Sequence, residues 1–269
     1  MDLKVREISE SFLWDEFVKS SPNCNFMQSW NWSMFQEVGL SRKTYRLGFW
    51  NEQDELVAVA AGYEINQTFG KYVYFSRGPI LSDLNPELYK RVLKYIIDYF
   101  KNSEYIFVKI DPEIETQNRA SLIPFGMGFK KCINYVQPET PWMIDLVGNT
   151  EEELMEWCEE HGMGKNYPTY IRKGRKLGIE VKFSQEMPDW KLFTHYLNKS
   201  SEVKEFVIRS SDYYLKQLKY MGETGEIRLA VASYQNEPVA MLVLSFFGDE
   251  VSCLYSCQTG IHRKIRGPM

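Results

Sequence analysis

The densest run of chemically capable side chains lies between residues 165 and 182. There Lys165, Arg172, Lys173, Arg175, Lys176 and Lys182 stand against a single acid, Glu180. Clustered ammonium and guanidinium groups bind polyanions by releasing condensed counterions. Tyr167 and Tyr170, interleaved with them, offer rings on which nucleic-acid bases stack. The pattern points to a phosphate-rich partner, RNA included, unless it is only the solvated face of a helix. Other chemistries have less to stand on. Three histidines, His161, His195 and His262, are too scattered to pair with a nucleophile or to ligate zinc. Five cysteines, at positions 24, 132, 158, 253 and 257, form no Cys-x-x-Cys and read as reduced thiols packed as small apolar groups. No metal is expected.

A scaffold must position these residues, and the scaffold repeats. Strands are predicted over 45–50, 56–64 and 72–75, separated by polar turns at 51–55 and at Gly70-Lys71, and followed by Arg77-Gly78-Pro79. A second set over 227–234, 239–247 and 251–257, with turns at Gln235-Asn236-Glu237 and Gly248-Asp249-Glu250, is followed by Arg266-Gly267-Pro268. Both read as antiparallel meanders. The first leads into a helix over 86–101, with Leu88, Val92, Leu93, Ile96, Ile97 and Phe100 at helical spacing, and then a strand over 105–110. Between the copies the pattern predicts a strand over 142–146 and a helix over 150–160 opened by a capping box of Thr150 and Glu153. A helix over 167–176, a strand over 179–183 and helices over 190–200 and 211–220 follow.

The expected class is therefore α/β, with mixed sheets packed against helices, in two domains over 1–147 and 148–269. The second meander is not followed by counterparts of the helix over 86–101 and the strand over 105–110. The second domain is accordingly expected to be truncated at its C-terminal end by about 50–60 residues.

At 269 residues, 44% hydrophobic and 25% charged, the chain can fill two cores and is not a disordered polymer. Lys and Arg number 32 against 36 Asp and Glu, a net charge of −4. That excludes a globally basic DNA binder, and no DNA partner is expected, but it permits a local basic face. The apolar runs are strand-sized, too short to cross a bilayer as a helix. The amino-terminal residues MDLKVREISESFLWDEF contain no signal-peptide core, so a cytoplasmic location is the default.

One family is resembled along the whole chain. Met27-Gln28-Ser29-Trp30-Asn31-Trp32-Ser33-Met34-Phe35-Gln36 resembles the QSW-x-W-x-x-F opening of the FemABX aminoacyltransferases, which build the peptide cross-bridge of peptidoglycan. Further matches are Ser76-Arg77-Gly78-Pro79, Ile110-Asp111-Pro112-Glu113, Gln137-Pro138, Tyr170-Ile171-Arg172-Lys173 and Gly178-Ile179-Glu180-Val181. Arg209-Ser210-Ser211-Asp212-Tyr213, Leu254-Tyr255 and His262-Arg263-Lys264 complete the series. No single motif carries it; their order does.

The resemblance implies two tandem GNAT-like domains and, from the short interval 183–209, the compact FemX-like type. It implies aminoacyl-tRNA as co-substrate, no cofactor, and transfer onto a stem-peptide amine of UDP-MurNAc-pentapeptide or lipid II. A lipid-linked acceptor would bring the protein against the inner face of the membrane. By the same resemblance Trp32, Gln36, Arg77, Asp83, Arg209, Tyr213 and Tyr255 are expected at the acceptor. Lys165, Arg172, Lys173, Arg175 and Lys176 are then expected to face tRNA or phosphate. The chain also departs from the compact type. Gln36 replaces a phosphate-binding lysine, Ser82 (beside Asp83) an aspartate, and Cys253 a tyrosine. A late catalytic lysine would lie beyond Met269, so no catalytic residue is assigned.

Two rival readings come from other classes. A GNAT acyl-CoA N-acyltransferase would hold its pyrophosphate on a Gln/Arg-x-x-Gly-x-Gly/Ala loop at a helix start. Arg175-Lys176-Leu177-Gly178-Ile179-Glu180 approaches that loop and fails at Glu180. A non-catalytic, Fem-like binding module is the other.

Overall fold

The computed structural model describes residues 3–133, 135–146, 148, 150–161, 166–205 and 207–261. His262, Arg263, Lys264 and the second Arg-Gly-Pro at 266–268 lie outside the described residues. The chain divides into two compact units. One comprises residues up to 137 with 219–226 and 246–251; the other comprises 138–218 with 227–245 and the residues from 252 on.

In the first unit β1 (Lys4–Glu7) is followed by α1 (Ser11–Ser20), a 3-10 turn over Phe26–Gln28, α2 (Trp30–Met34) and a π-helical turn over Phe35–Gly39. Then come β2 (Thr44–Trp50), β3 (Leu56–Gln67), β4 (Gly70–Phe75), the two-residue β5 (Ile80–Leu81), α3 (Pro86–Phe100), β6 (Val108–Ile110) and α4 (Ile123–Gly126). The sheet runs β1-β2-β3-β4-β6, with β5 paired to β3. Neighbours are antiparallel except β4 and β6, which are parallel, Val73 opposite Val108. The mixed sheet expected for the first repeat is present, although its last strand is shorter than 105–110.

Helix α3 shows why the segment folds as it does. Pro86 opens it with φ already set, and the Asn85 side chain accepts hydrogen bonds from the N–H groups of Glu87 (2.8 Å) and Leu88 (3.3 Å). Its stripe of Leu88, Val92, Leu93, Ile96 and Phe100 is buried in one cluster with Leu47, Phe49, Val73 and Phe75 of the sheet. Each such side chain contributes about 1.5–3 kcal/mol on burial.

In the second unit α5 (Glu151–Glu160) and α6 (Tyr167–Lys176) precede β7 (Glu180–Ser184), α7 (Met187–Lys204) and α8 (Ser211–Gln217). The chain continues through a π-helical turn over Leu218–Gly222 into β8 (Ile227–Tyr234), β9 (Glu237–Phe247) and β10 (Glu250–Gln258), with 219–222 and the β9–β10 turn over 246–251 counted in the first unit, and the strands line up as β10-β9-β8-β7. Gln235 and Asn236 between β8 and β9 both take positive φ, at 51° and 63°, as a two-residue type I′ hairpin requires. Thr150 caps α5 by accepting from the N–H of Glu153 at 3.2 Å.

The repeat is deeper than the meanders alone suggest. Each copy begins with an edge strand (β1, β7) and a helix (α1, α7). A short serine-capped helix then passes through a π turn into three antiparallel strands. Two expectations need correcting. Residues 142–146 form no strand: Trp142, Met143, Ile144 and Leu146 are exposed, so the apolar run has no sheet to join. The helix over 211–220 is α-helical only to Gln217, then widens into the π turn.

Candidate functional site

The Gln-Ser-Trp segment ties α2 to the sheet of the first unit. Ser29 caps α2, its hydroxyl accepting from the N–H of Trp32 at 3.1 Å. The wholly buried Gln28 side chain reaches between β3 and the end of β4. Its Nε2 donates to the carbonyls of Ala61 (3.0 Å) and Ser76 (2.6 Å), and its Oε1 accepts from the N–H of Ala61 (2.8 Å). Gly78 is required beside it, since a Cβ there would lie 2.6 Å from the Gln28 amide nitrogen. Trp32 is buried between Phe26 and Phe35, ring centroids 5.5 Å away on each side, and its indole N–H has no partner among the described residues. Gln36 is also buried and accepts from the Arg42 guanidinium at 2.5 Å; that guanidinium lies over the ring of Tyr63.

Arg77 follows β4 in the left-handed region, φ 55°, and is buried. Its backbone N–H donates to Asp111 Oδ1 at 2.6 Å, and Tyr74 donates its hydroxyl to Asp111 Oδ2 at 2.5 Å. Burial pushes the Asp111 carboxyl up, against the pull of these hydrogen bonds and of the Arg77 and Lys109 charges. Asp83 is exposed ahead of α3 and takes no part in this network.

The second unit gathers Arg209, Tyr213 and Tyr255. Arg209 and Tyr255 meet at a cavity of about 570 Å³ lined by Leu197, Val207, Ile208, Arg209, Tyr214, Leu254, Tyr255 and Ser256, and Tyr213 stands beside them without lining it. The Arg209 guanidinium lies 5.8 Å from the centroid of the Tyr213 ring. Burial pushes the Tyr255 phenol well above its ordinary value; Tyr213, which is hydrogen-bonded to it, adds to this and the amide of Gln217 opposes it. Sequence alone does not single out Tyr214. It packs edge-on against Tyr255 at 4.9 Å and Phe193 at 5.9 Å, and its hydroxyl accepts from the Arg209 N–H at 3.2 Å. Its only sequence signal is the helical phase that α8 gives it one residue after Tyr213.

Placed against the repeat, Arg209 is the counterpart of Gln28. Each directly precedes the serine that caps the short helix, and each copy carries a tyrosine, Tyr74 or Tyr255, in its last meander strand. In the first copy the side chain closes the gap between strands. In the second it is an exposed cation at a cavity. A guanidinium beside tyrosine hydroxyls suits an anion with several oxygens, because its fork can pair two of them at once.

The basic run is only partly available to a ligand. Lys165 lies outside the described residues. Arg172 pairs with Glu159 at 2.9 Å, and Arg175 with both carboxylate oxygens of Glu151 at 2.5 Å, so acidic α5 neutralises two of the cations. Lys173 and Lys176 are exposed and make no ion pair among the described residues. Residues 175–180 sit at the C-terminal end of α6, where carbonyls and not N–H groups are free. That is the wrong end of a helix for the acyl-CoA loop considered above. Among the described residues no three His, Cys, Asp or Glu side chains gather as metal ligands, and no helix is long and apolar enough to cross a membrane.

Comparison with known proteins adds an independent finding. The profile of the FemAB family matches residues 10–122 and 126–239. The lipid II:glycine glycyltransferase of Staphylococcus epidermidis is 26% identical over 235 residues, covering 84% of this chain and 55% of that protein. Aminoacyltransferase FemA of Staphylococcus aureus is 24% identical over 244 residues, covering 81% and 55%. The chain thus spans about half the length of these relatives. Among solved structures, FemX superimposes with a TM-score of 0.78 at 17% identity, over 97% of this chain and 82% of that one. The likeness is one of fold.

Proposed function

The chain belongs to the FemAB family, and from that premise we propose that it is an aminoacyltransferase of peptidoglycan bridge formation. It would move an amino acid from aminoacyl-tRNA to a stem-peptide amine of a precursor, either UDP-MurNAc-pentapeptide or lipid II. The amine nitrogen attacks the ester carbonyl carbon, the C–N bond forms, the C–O bond to the tRNA ribose breaks, and the amine proton passes to the departing ribose oxygen by way of solvent. Such a step depends on positioning and on stabilising the developing charge more than on covalent help. The aminoacyl-tRNA is a co-substrate, and the chemistry asks for no further cofactor. A lipid-linked acceptor would be met at the inner face of the membrane.

The observation that carries this reading is that Arg209 and Tyr255 line one cavity, with Tyr213 against both. A guanidinium there suits a diphosphate-linked acceptor. The names of the two staphylococcal relatives, a glycyltransferase acting on lipid II and an aminoacyltransferase, agree with the reaction class. On the donor side Tyr170, Lys173 and Lys176 of α6 are the groups left to face tRNA.

Calorimetric titration with UDP-MurNAc-pentapeptide, with UDP-GlcNAc and acetyl-CoA as controls, tests the acceptor side. Selective binding of the pentapeptide precursor is expected. Equal binding of UDP-GlcNAc would reduce the cavity to a general nucleotide-sugar site, and preference for acetyl-CoA would return the chain to the acyl-CoA class.

A further inference from the structure

Arg209 hangs on a thin tether. Helix α7 ends with Glu205 in the left-handed region, φ 54°, and α8 begins at Ser211 under its Ser210 cap. Between them Val207 is fully exposed and Arg209 is exposed. Among the described residues, 207–209 make one hydrogen bond, from the Arg209 N–H to the Tyr214 hydroxyl at 3.2 Å. The acceptor end of that bond is rigid. Tyr214 is buried, and its ring is held edge-on by Phe193, Tyr213 and Tyr255, centroids 5.9, 5.5 and 4.9 Å away.

The first repeat handles the same position differently. The Gln28 N–H donates to the backbone carbonyl of Asn25 at 2.9 Å, its carbonyl accepts the Trp14 indole N–H at 2.6 Å, and its side chain binds both strands. Gln28 is held at every polar group, whereas the only hydrogen bond of Arg209 among the described residues is through its backbone, and its guanidinium rests against the Tyr213 ring at the cavity.

We infer that Tyr214 is a positioning residue for the acceptor site: its hydroxyl fixes the Arg209 backbone so that the guanidinium is presented at the cavity mouth before ligand arrives. The inference rests on the acceptor reading above. Its physical content is preorganisation. A loop already held in its bound form does not lose that freedom on binding, so deleting one hydroxyl that need not touch the ligand weakens binding.

Two measurements on the full chain test it. The first needs no ligand: hydrogen exchange followed by mass spectrometry over a peptide containing Arg209. Tyr214→Phe keeps the ring and removes the acceptor, and is expected to raise exchange at the Arg209 amide at least fivefold while α3 and the first sheet stay unchanged. An unaltered rate overturns the tether. The second is a double-mutant cycle by calorimetry, with UDP-MurNAc-pentapeptide and inorganic pyrophosphate as probes. Tyr214→Phe is expected to weaken binding about three- to tenfold in the native background and to have no effect in Arg209→Ala. An equal loss in both backgrounds assigns Tyr214 a merely structural role and overturns the inference. Undiminished binding in Arg209→Ala overturns the acceptor reading itself, whatever the exchange result.

Discussion

Gln28 and Ala61 exchange two hydrogen bonds as though the glutamine side chain were another strand: Nε2 donates to the Ala61 carbonyl at 3.0 Å, and the Ala61 N–H donates to Oε1 at 2.8 Å. The pairing lies where β3 has parted from β4. Their register begins at Tyr63 opposite Tyr74 and runs toward the hairpin, while β3 pairs β5 only at Ala58 and Val59. Ala61 falls between those ladders on that side, and a buried backbone group left unpaired there would cost as much as a broken hydrogen bond. The amide closes the gap and fastens the turn before α2 to the sheet.

Gln28→Ala should therefore destabilise the first unit by about 2–4 kcal/mol, because it strands the Ala61 N–H and two carbonyls in a dry site. Urea unfolding followed by tryptophan fluorescence measures it. A loss below about 0.5 kcal/mol would mean that water reaches the gap and replaces the amide.

Much of this organisation is legible in the sequence. Strands 45–50, 227–234 and 239–247 and helices 86–101 and 167–176 announce themselves by period and punctuation, because each buries one face. Helix α1 and strand β1 do not: Phe12 and Leu13 are exposed while Trp14 and Val18 are buried, which blurs the stripe, and β1 has only four residues. The candidate site is legible in its residue types but not in its contacts. Nothing local in Tyr170-Ile171-Arg172-Lys173 shows that Arg172 is committed to Glu159 thirteen positions earlier. Likewise the role of Tyr214 comes from a hydrogen bond across a helix cap, a matter of three-dimensional phase.

At the cavity, Arg209→Ala should weaken binding of UDP-MurNAc-pentapeptide by about 1.5–3 kcal/mol, the cost of removing a charge-assisted hydrogen bond. Arg209→Lys should recover only part of it, since an ammonium cannot offer the two-pronged geometry. Calorimetry gives both numbers. Identical affinities for Arg, Lys and Ala would take the phosphate away from this residue.

Glu226 gives a pH signature of the first unit. Its carboxylate accepts from Asn31 Nδ2 at 2.8 Å and from the Ser29 hydroxyl at 3.1 Å. Burial nevertheless raises its pKa to about 7 from 4.5, and the nearby Asp15 charge adds to this. Between about pH 4.5 and 7 the folded state holds a proton that the unfolded chain releases, so stability falls as pH rises through that window and levels off above it. Glu226→Gln should flatten this slope and leave the variant about 2 kcal/mol more stable than the native protein at about pH 8. Asp15, raised in the same direction by burial, leaves a residual slope at lower pH. Urea midpoints measured at intervals from about pH 5 to 8 decide it, and a slope unchanged by the substitution would assign the dependence elsewhere.

The α6 face separates cations that hold the fold's surface from cations available to a ligand. Arg175 and Glu151 form an exposed pair, and such pairs add little to stability; Arg175→Ala should leave the unfolding midpoint unmoved. If tRNA lies along this helix, Lys173→Glu with Lys176→Glu should weaken it uniformly across tRNA sequences. The slope of log affinity against log salt should then fall by about two, one for each phosphate no longer neutralised. Glu151→Gln should act oppositely, freeing Arg175 and tightening the complex at low salt. Fluorescence anisotropy with labelled tRNA at several salt concentrations reads both variants. Equal slopes for the native chain and the double glutamate variant would move the donor off α6, and a weakened complex in Glu151→Gln would show that the ion pair with α5 shapes the face instead of screening it.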